Sequence, residues 1–242
     1  MTGVKIGSKR KKELQKLQKT IGYLFNNESL LNQSLVHRSY ANEQSTLEVY
    51  DNERLEFLGD SILGMIVSNF LFNEYRKLSE GELSKYRAKI VCEESLAEIG
   101  KAFHLGEYVL LGKGERSNGG KTRNSILADT LEALIGAMYL DGGMAPVQRF
   151  VLQCFFSEGR FEKVPEDLKD HKTMLQEIVQ KNGKEPIAYH VVREWGPDHD
   201  KRFEVQVLVG GKVIGTGTGK TKKEAEQQAA FMGIRGISKE TE

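Results

Sequence analysis

The stretch that decides the fold is Asn52-Glu53-Arg54-Leu55-Glu56-Phe57-Leu58-Gly59-Asp60-Ser61-Ile62-Leu63. Its acids Glu53, Glu56 and Asp60 follow i, i+3, i+7 spacing, which at about 100° per residue places them within roughly 60° of one another on a helix. The other side of this helix is apolar, with Leu55, Leu58, Ile62, Met65 and Ile66. The pattern predicts an amphipathic helix with an acidic face, where a bound cation would remove the repulsion between the carboxylates.

A second helix of the same design is predicted from Ser125 to about Asp141. It places Asp129 and Glu132 at i, i+3, with its apolar side formed by Leu131, Leu134, Ile135 and Met138. Each helix also has a glycine four residues after its last acid, Gly64 and Gly136. A glycine inside a helix costs about 1 kcal/mol relative to alanine. Either the two helices approach closely at these glycines, or the glycines are unrelated and merely tolerated.

The two acidic faces together supply four or five carboxylates, a hard oxygen-donor set suited to Mg²⁺ or Mn²⁺. Such ions organise a hydrolytic water and neutralise the charge that develops during phosphoryl transfer. The five histidines are dispersed, which disfavours a ribonuclease that works through paired histidines. The alternative is that both acidic faces are simply solvated, because spacing alone does not show that they meet.

Composition bounds the class of protein. The chain has 242 residues with 39% hydrophobic and 29% charged residues, a length typical of one large or two ordinary domains. No run of about 18 apolar residues is present, so we expect no membrane span. Two distant cysteines, Cys92 and Cys154, favour a reducing, cytoplasmic location. The net charge of +1 does not by itself indicate a nucleic-acid binder, so the distribution of charge has to be considered.

The periodicity changes in the last third of the chain. We predict an all-α domain over residues 1–160 with a basic lead-in at about 1–19, a linker over 161–169, and a small α+β domain over 170–239. The second domain is expected to have the order α-β-β-β-α. Within the first domain, Gly112 to Arg123 is predicted to be a flexible, basic loop. It is either a solvated connection or a contact for phosphate.

The segment Asn52 to Ser61 resembles the signature of ribonuclease III. Further matches are Glu80-Gly81 followed by Leu83-Ser84, Leu111 to Glu115, and Ser125 to Gly136. The resemblance covers nearly the whole chain, in the two-domain bacterial form. It implies Mg²⁺-dependent endonucleolytic cleavage of double-stranded RNA that leaves 5′-phosphate and 3′-hydroxyl ends with short 3′ overhangs. The family's expected substrates are precursors of ribosomal RNA, together with other structured transcripts including messenger and transfer RNA.

The resemblance also implies site residues. The implied metal ligands are Glu56, Asp60, Asp129 and Glu132, with Asp60 and Glu132 as the catalytic acids, and with Mn²⁺ as a possible substitute for Mg²⁺. Glu53 and Glu80 match two auxiliary acids of the family's cleavage valley. Considered without the resemblance, Glu53 is an acid at the start of a helix and Glu80 is part of a capping turn.

Phe57 lies only about 40° from Glu53 around the helix, so an aromatic residue shares the acidic face. Either a neighbouring loop of the same chain covers this ring, or the ring enters a pocket of a second subunit, as the resemblance implies. The two strands of duplex RNA are related by two-fold axes. A two-fold homodimer with one site in each subunit could therefore cut both strands.

The C-terminal domain offers groups suited to RNA duplexes, which are recognised by shape, 2′-hydroxyls and spaced phosphate contacts. Helical spacing places four polar residues on one face of the first helix: Thr173, Gln176, Glu177 and Gln180. His199 lies in a predicted loop. Lys220, Lys222 and Lys223 stand at the start of the last helix, where free N–H groups favour phosphate. Together these features resemble a double-stranded RNA-binding domain. The alternatives to the nuclease are a non-catalytic regulator that binds double-stranded RNA and a helical phosphohydrolase for small substrates.

Overall fold

The structure, a computed structural model, describes residues 6–44, 49–157, 170–183, 185–197 and 200–239. Contacts divide the chain into two compact units, Met1–Val164 and Pro165–Glu242. In its described residues the first unit is all-helical, as the sequence predicts. Its helices are α1 (Ser8–Ile21), α2 (Glu28–Ser34), α3 (Arg38–Glu43), α4 (Glu53–Glu74), α5 (Glu80–Ile90), α6 (Glu93–Ala102), α7 (Leu105–Tyr108), α8 (Lys113–Ser117), α9 (Asn124–Gly142) and α10 (Met144–Phe156), with a 3-10 turn at Gly120–Thr122.

Helix α9 forms the centre of this unit. Most of its residues are buried, which suits its nearly uninterrupted apolar sequence. Helix α4 packs along it, and α2, α6 and α10 cover the remaining sides. A helix buried on all sides can carry polar groups only where a neighbour leaves an opening. The acids of α9 therefore mark the place where this packing is incomplete.

The close approach of α4 and α9 is present, but Gly64 is not its basis. A Cβ atom on Gly64 would meet nothing within 4 Å, whereas one on Gly59 would overlap the carbonyl oxygen of Glu132. On the other helix, a Cβ atom on Gly136 would overlap the carbonyl oxygen of Leu55. The glycine pair that permits the crossing is thus Gly59 and Gly136. Met65, expected on the buried side, is 50% exposed.

By length and composition alone, α4 is apolar enough to cross a membrane, a property that core helices of soluble proteins share. In the structure 39% of its most apolar window is buried within the domain. Its packing along α9 is typical of a core helix. The exposed remainder includes the apolar residues Phe57, Met65 and Phe72.

The segment from Gly112 to Arg123 is ordered rather than a flexible loop. It forms α8 and the 3-10 turn, and two side chains of α3 fix its start. Ser39 Oγ accepts a hydrogen bond from Gly112 N at 2.9 Å, and Glu43 Oε1 accepts one from Lys113 N at 2.7 Å. The sequence does not predict α3, because its six residues, of which only Tyr40 and Ala41 are apolar, show no apolar periodicity.

The second unit has the predicted α-β-β-β-α order. It comprises α11 (His171–Asn182), β1 (Ile187–Trp195), β2 (Arg202–Val209), β3 (Lys212–Gly219) and α12 (Lys222–Lys239), and the strands form an antiparallel sheet in sequence order. Its core joins Leu175 and Val179 of α11 to Val205 and Val207 of β2 and to three alanines of α12, which are Ala225, Ala229 and Ala230. The small alanine side of α12 lets this helix pack closely on β3.

Candidate metal centre and RNA-binding surfaces

Three acids from the two central helices converge where α4 crosses α9. Carboxylate oxygens of Glu56, Asp129 and Glu132 all lie within 4.8 Å of one another. All three side chains are half-buried. The crossing through Gly59 brings the backbone of Glu132 against α4, and this contact positions its carboxylate beside that of Glu56.

Burial and mutual repulsion act on these acids together. Burial, then the charges of Asp60, Glu56 and Asp129, raise the pKa of Glu132 to about 8. Burial is also the main cause that raises the pKa of Glu56, followed by the charge of Asp129. Three carboxylate oxygens within 4.8 Å of one another, whose mutual repulsion a bound cation would relieve, fit a hard divalent ion such as Mg²⁺.

The remaining predicted acids occupy different places. Asp60 is exposed and lies outside the three-residue cluster, yet its charge is the largest electrostatic effect on Glu132. Glu53 is exposed and pairs with Arg38 at 3.3 Å between Oε1 and Nη1. Glu80 starts α5, where its Oε1 accepts a hydrogen bond from Ser84 Oγ at 2.8 Å. The capping box of α5 uses Ser79 and Glu82, so Glu80 does not serve as the capping acid.

Two acids of the cluster, Glu56 and Asp129, open into a cleft of about 480 Å³. Its lining includes Glu53, Glu56 and Asp129, and it also includes Arg38 and Arg123. Asp60, Glu80 and Glu132 are absent from this lining. The cleft therefore combines a carboxylate cluster with two guanidinium groups, which is a suitable arrangement for a phosphate ester next to a metal ion.

Sequence patterns alone missed the residues that shape this cleft. Asn52 is 2% exposed; its backbone N–H bonds to Val36 O at 2.9 Å and its Nδ2 to Ser34 O at 3.3 Å, so it anchors the start of α4. Arg123 is held by Glu115 at 2.7 Å between Nη1 and Oε1. The only sequence signal was the basic character of the segment from Gly112 to Arg123, for which a phosphate contact was one of two interpretations.

An apolar face of α4 points away from the core. Phe57 is 77% exposed, so no loop among the described residues covers the ring. Met65 and Phe72 are exposed as well, and helical geometry places all three within about 80° of one another. This face is available to a partner molecule.

In the second unit, the structure brings most of the predicted RNA-binding residues together. Thr173, Gln176 and Gln180 of α11 line one cleft with Lys222 and Lys223 of α12, and the cleft has a volume of about 1110 Å³. Glu177 and Lys220 are exposed but do not line it. His199 lies outside the described residues.

The start of α12 is partly capped by its own residues. Thr221 Oγ1 accepts a hydrogen bond from Glu224 N at 3.1 Å, and Glu224 Oε2 accepts one from Lys220 N at 2.8 Å. Two of the N–H groups expected to be free for phosphate are therefore occupied. Affinity for phosphate at this end depends correspondingly more on the lysine side chains.

Comparisons with known proteins agree with both units. A family model described as Ribonuclease-III-like matches residues 27–188, and one described as Double-stranded RNA binding motif matches residues 171–237. A protein named Ribonuclease 3 from Geobacillus sp. (strain WCH70) is 48% identical over 234 residues, which are 96% of this chain and 94% of that protein. Ribonuclease 3 from Listeria innocua is 46% identical over 227 residues, covering 93% of this chain and 97% of that one.

Among solved structures, the chain is similar to the nuclease domain of ribonuclease III from Campylobacter jejuni, which was described for structural flexibility in a region involved in dimer formation. The TM-score is 0.56 at 39% identity, and the match covers 62% of this chain and 99% of that one. The likeness extends over the helical unit in which the acids converge.

Proposed function

This chain belongs to the ribonuclease III family of endoribonucleases that act on double-stranded RNA, and we propose that it cuts RNA duplexes with Mg²⁺, leaving 5′-phosphate and 3′-hydroxyl ends with short 3′ overhangs. The observation that carries the proposal is the convergence of Glu56, Asp129 and Glu132 at the crossing of α4 and α9. Its substrates would be ribosomal RNA precursors and other structured transcripts, in the cytoplasm. Mn²⁺ has the same ligand preference and could replace Mg²⁺.

Four acids are proposed to hold and serve the metal ion. Glu56, Asp129 and Glu132 would bind it directly, and Asp60 would act beside Glu132, whose pKa it raises. When bound, Mg²⁺ supplies a polarised water as nucleophile and neutralises charge on the phosphate that is cut. Because Glu132 with a pKa of about 8 holds a proton near neutral pH, this carboxyl group must release its proton before it can act as a ligand.

The guanidinium groups of the cleft are proposed to orient the RNA backbone. Arg38 and Arg123 line the cleft beside the acids, and each is held by a carboxylate, Glu53 and Glu115 respectively. A side chain fixed in this way loses less conformational entropy when it binds phosphate. Glu53 is therefore proposed to act mainly by placing Arg38. Glu80, which like Asp60 and Glu132 does not line this cleft, is proposed as an auxiliary acid.

We propose that the working form is a homodimer. The exposed apolar face of α4, with Phe57 most exposed, is suited to a second copy of the chain. A two-fold dimer would carry two acid clusters, matching the two-fold relation between the strands of an RNA duplex. Each subunit would then cut one strand, and an offset between the two cuts would leave the 3′ overhang.

The second unit is proposed to hold the duplex by its shape. Thr173, Gln176 and Gln180 offer hydrogen bonds on one side of the cleft, and Lys222 and Lys223 offer charge on the other. Such groups suit 2′-hydroxyls and phosphates and do not require base edges. This role, unlike cutting, would need no metal ion.

The proposal is tested by incubating the purified protein with long duplex RNA, in Mg²⁺ or in chelator. We expect cutting only with Mg²⁺, and products that ligate through 5′-phosphates. Glu132→Gln should bind the duplex but fail to cut it, whereas the control Glu74→Gln, at the exposed end of α4, should cut normally. Binding without Mg²⁺-dependent cutting by the unaltered protein would instead indicate a regulator that only binds RNA.

A further inference from the structure

Helix α1 has an unusual concentration of positive charge. It contains six basic residues and one acid, Glu13. Two of the basic residues have partners: Arg10 pairs with Glu13 at 3.4 Å, and Lys11 pairs with Glu28 at 3.9 Å. The other four form no ion pair with any described residue; they are Lys9, Lys12, Lys16 and Lys19.

These four lysines, called here the lysine stripe, lie on one side of the helix. Their i, i+3, i+7, i+10 spacing places them within about 80° of one another and over a length of about 15 Å. All four are exposed. The other side of α1 is buried in the core through Leu14, Leu17 and Ile21, so the stripe is held facing outward.

The lysine stripe joins a second group of cations. Lys9 lines a cleft of about 280 Å³ together with Arg116 of α8 and Lys121 of the 3-10 turn. The acids in this cleft are Glu13, which pairs with Arg10, and Glu107, which lies 3.9 Å from the His104 ring.

The position of these cations is fixed by backbone packing. A Cβ atom on Gly106 of α7 would overlap the carbonyl oxygen of Lys121, so α7 holds the 3-10 turn in place. The segment that carries Arg116 and Lys121 also carries Arg123, which lines the cleft of the acid cluster. Positive groups therefore extend from the edge of the candidate metal centre to α1.

We propose that the lysine stripe is an additional RNA-binding surface, which contacts the phosphates of the substrate duplex outside the site of cutting. Four neighbouring lysines that form no ion pair with any described residue repel one another, and a polyanion removes that repulsion while releasing its own counterions. A length of about 15 Å spans several phosphates along a strand. Lysine contacts phosphate as a point charge, so this surface binds without regard to sequence.

A nucleic acid fits this surface better than a lipid membrane. A helix that lies on a membrane inserts apolar residues next to its basic ones. The apolar residues of α1 are instead buried against the rest of the domain. The inference rests on the proposed function only in taking duplex RNA as the polyanion that reaches the adjoining acidic cleft.

The test compares full-length Lys12→Gln/Lys16→Gln with the unaltered protein in chelator, so that binding is measured without cutting. The probe is a duplex of about 60 base pairs, several times the roughly 16 that a double-stranded RNA-binding domain spans. Affinity is measured as a function of salt concentration. We expect the variant to bind about tenfold more weakly at low salt, with the slope of log K against log salt reduced by about 1 to 2.

The control is Lys77→Gln/Lys85→Gln, which removes the same charge from exposed lysines near the junction of α4 and α5. It should keep the original slope, and thermal unfolding should show all three proteins folded. Equal slopes for stripe and control variants would overturn the inference. It would also be overturned if the stripe variant lost binding to anionic phospholipid vesicles and kept its full affinity for RNA. If the unaltered protein bound RNA in this assay but never cut it, the proposed function would be refuted. The comparison of RNA affinity between the stripe variant and the control would still test the lysine stripe.

Discussion

Gly59 of α4 lies directly against the carbonyl group of Glu132 in α9, so that any side chain at residue 59 would overlap the carbonyl oxygen. The contact is repeated one turn further along, where a Cβ atom on Gly136 would overlap Leu55 O and come within 3.2 Å of Gly59 N. The distance between the two acidic helices is therefore set by backbone against backbone. The acid cluster depends on this distance, because its members come from both helices.

The first prediction concerns Gly59→Ala. A methyl group here forces α4 and α9 apart, at a cost of about 1 to 3 kcal/mol in the free energy of unfolding. The separation should also move Glu56 away from Glu132, so Mg²⁺ should no longer raise the unfolding temperature. The control is Gly64→Ala in the same helix, where an added Cβ atom would meet nothing within 4 Å. Because alanine favours a helix more than glycine does, the free energy of unfolding should stay unchanged or rise by up to about 1 kcal/mol. Equal unfolding temperatures for the two variants would contradict the prediction.

The second prediction follows from the pKa of Glu132, about 8 in the folded protein against an ordinary value of 4.5. Between these values the unfolded chain releases the proton and the folded protein retains it. The free energy of unfolding of the metal-free protein should therefore fall as pH rises from about 4.5 to about 8. Glu56 and Asp129, whose pKa values burial also raises, act in the same direction.

Urea unfolding in chelator, measured from pH 5 to pH 9, checks this dependence. Glu132→Gln should flatten the decline, because the amide does not titrate, and the control Glu74→Gln should leave it unchanged. Addition of Mg²⁺ should stabilise the unaltered protein most at the alkaline end, where ligand protons are already released. If the free energy of unfolding of Glu132→Gln fell with pH as steeply as that of the unaltered protein, groups other than Glu132 would cause the decline.

The sequence was sufficient for the helical class of the first domain and the order of elements in the second, and it indicated two acidic helices without showing that they meet. It could not identify which glycine of α4 makes the crossing. Gly59 and Gly64 are both helical glycines near the acids, and only their rotation relative to α9 distinguishes them: Gly59 faces α9 and Gly64 faces open space. That rotation depends on the packing of the whole helix and leaves no local signal.

Short polar elements escaped prediction for a related reason. Helix α3 and the segment from Gly112 to Arg123 are held by contacts between residues about 70 positions apart, such as Ser39 with Gly112 and Glu43 with Lys113. Neither segment has the apolar period that marks a helix in sequence. Arg38 and Arg123 line the cleft from these two segments, and the sequence indicates only that the segment carrying Arg123 is basic.

The third prediction concerns the exposed face of α4. Phe57→Asp places a charge on the ring position expected to enter a partner subunit, and desolvation of that charge should weaken dimerisation by at least tenfold. Sedimentation velocity over a range of concentrations measures the effect. Leu24→Asp is the control, because Leu24 is 75% exposed, nearly the same as Phe57 at 77%, and lies outside α4. An unchanged sedimentation profile for Phe57→Asp would remove Phe57 from the proposed dimer contact.

The fourth prediction concerns the lysines at the start of α12. Lys222→Gln/Lys223→Gln removes two phosphate contacts, so binding to a duplex of about 16 base pairs should weaken for all sequences alike. The slope of log K against log salt should fall by about 2. Lys212→Gln, at the exposed start of β3, serves as the control and should change neither quantity. A loss of affinity restricted to particular sequences would contradict a role limited to phosphates.

The last prediction tests whether Gln227 positions the RNA-binding side chains without contacting RNA phosphates itself. Gln227 of α12 joins the two helices of the cleft: its Nε2 donates to Asp170 Oδ1 at 2.9 Å, and its Oε1 accepts from Lys172 N at 3.2 Å. Lys172 Nζ in turn lies 2.6 Å from Glu226 Oε2. These contacts hold the start of α11, with Thr173 and Gln176, at a fixed distance from Lys222 and Lys223.

Gln227→Ala should therefore weaken binding of the short duplex by roughly tenfold, or about 1.4 kcal/mol, because the two sides of the cleft must be ordered when RNA binds. The salt slope should stay unchanged, since every lysine that contacts phosphate is still present. This combination differs from the effect of Lys222→Gln/Lys223→Gln, which lowers both quantities. If Gln227→Ala reduced the slope as well, the side chain would have to act through phosphate contacts, and its proposed role in fixing the distance between α11 and α12 would be wrong.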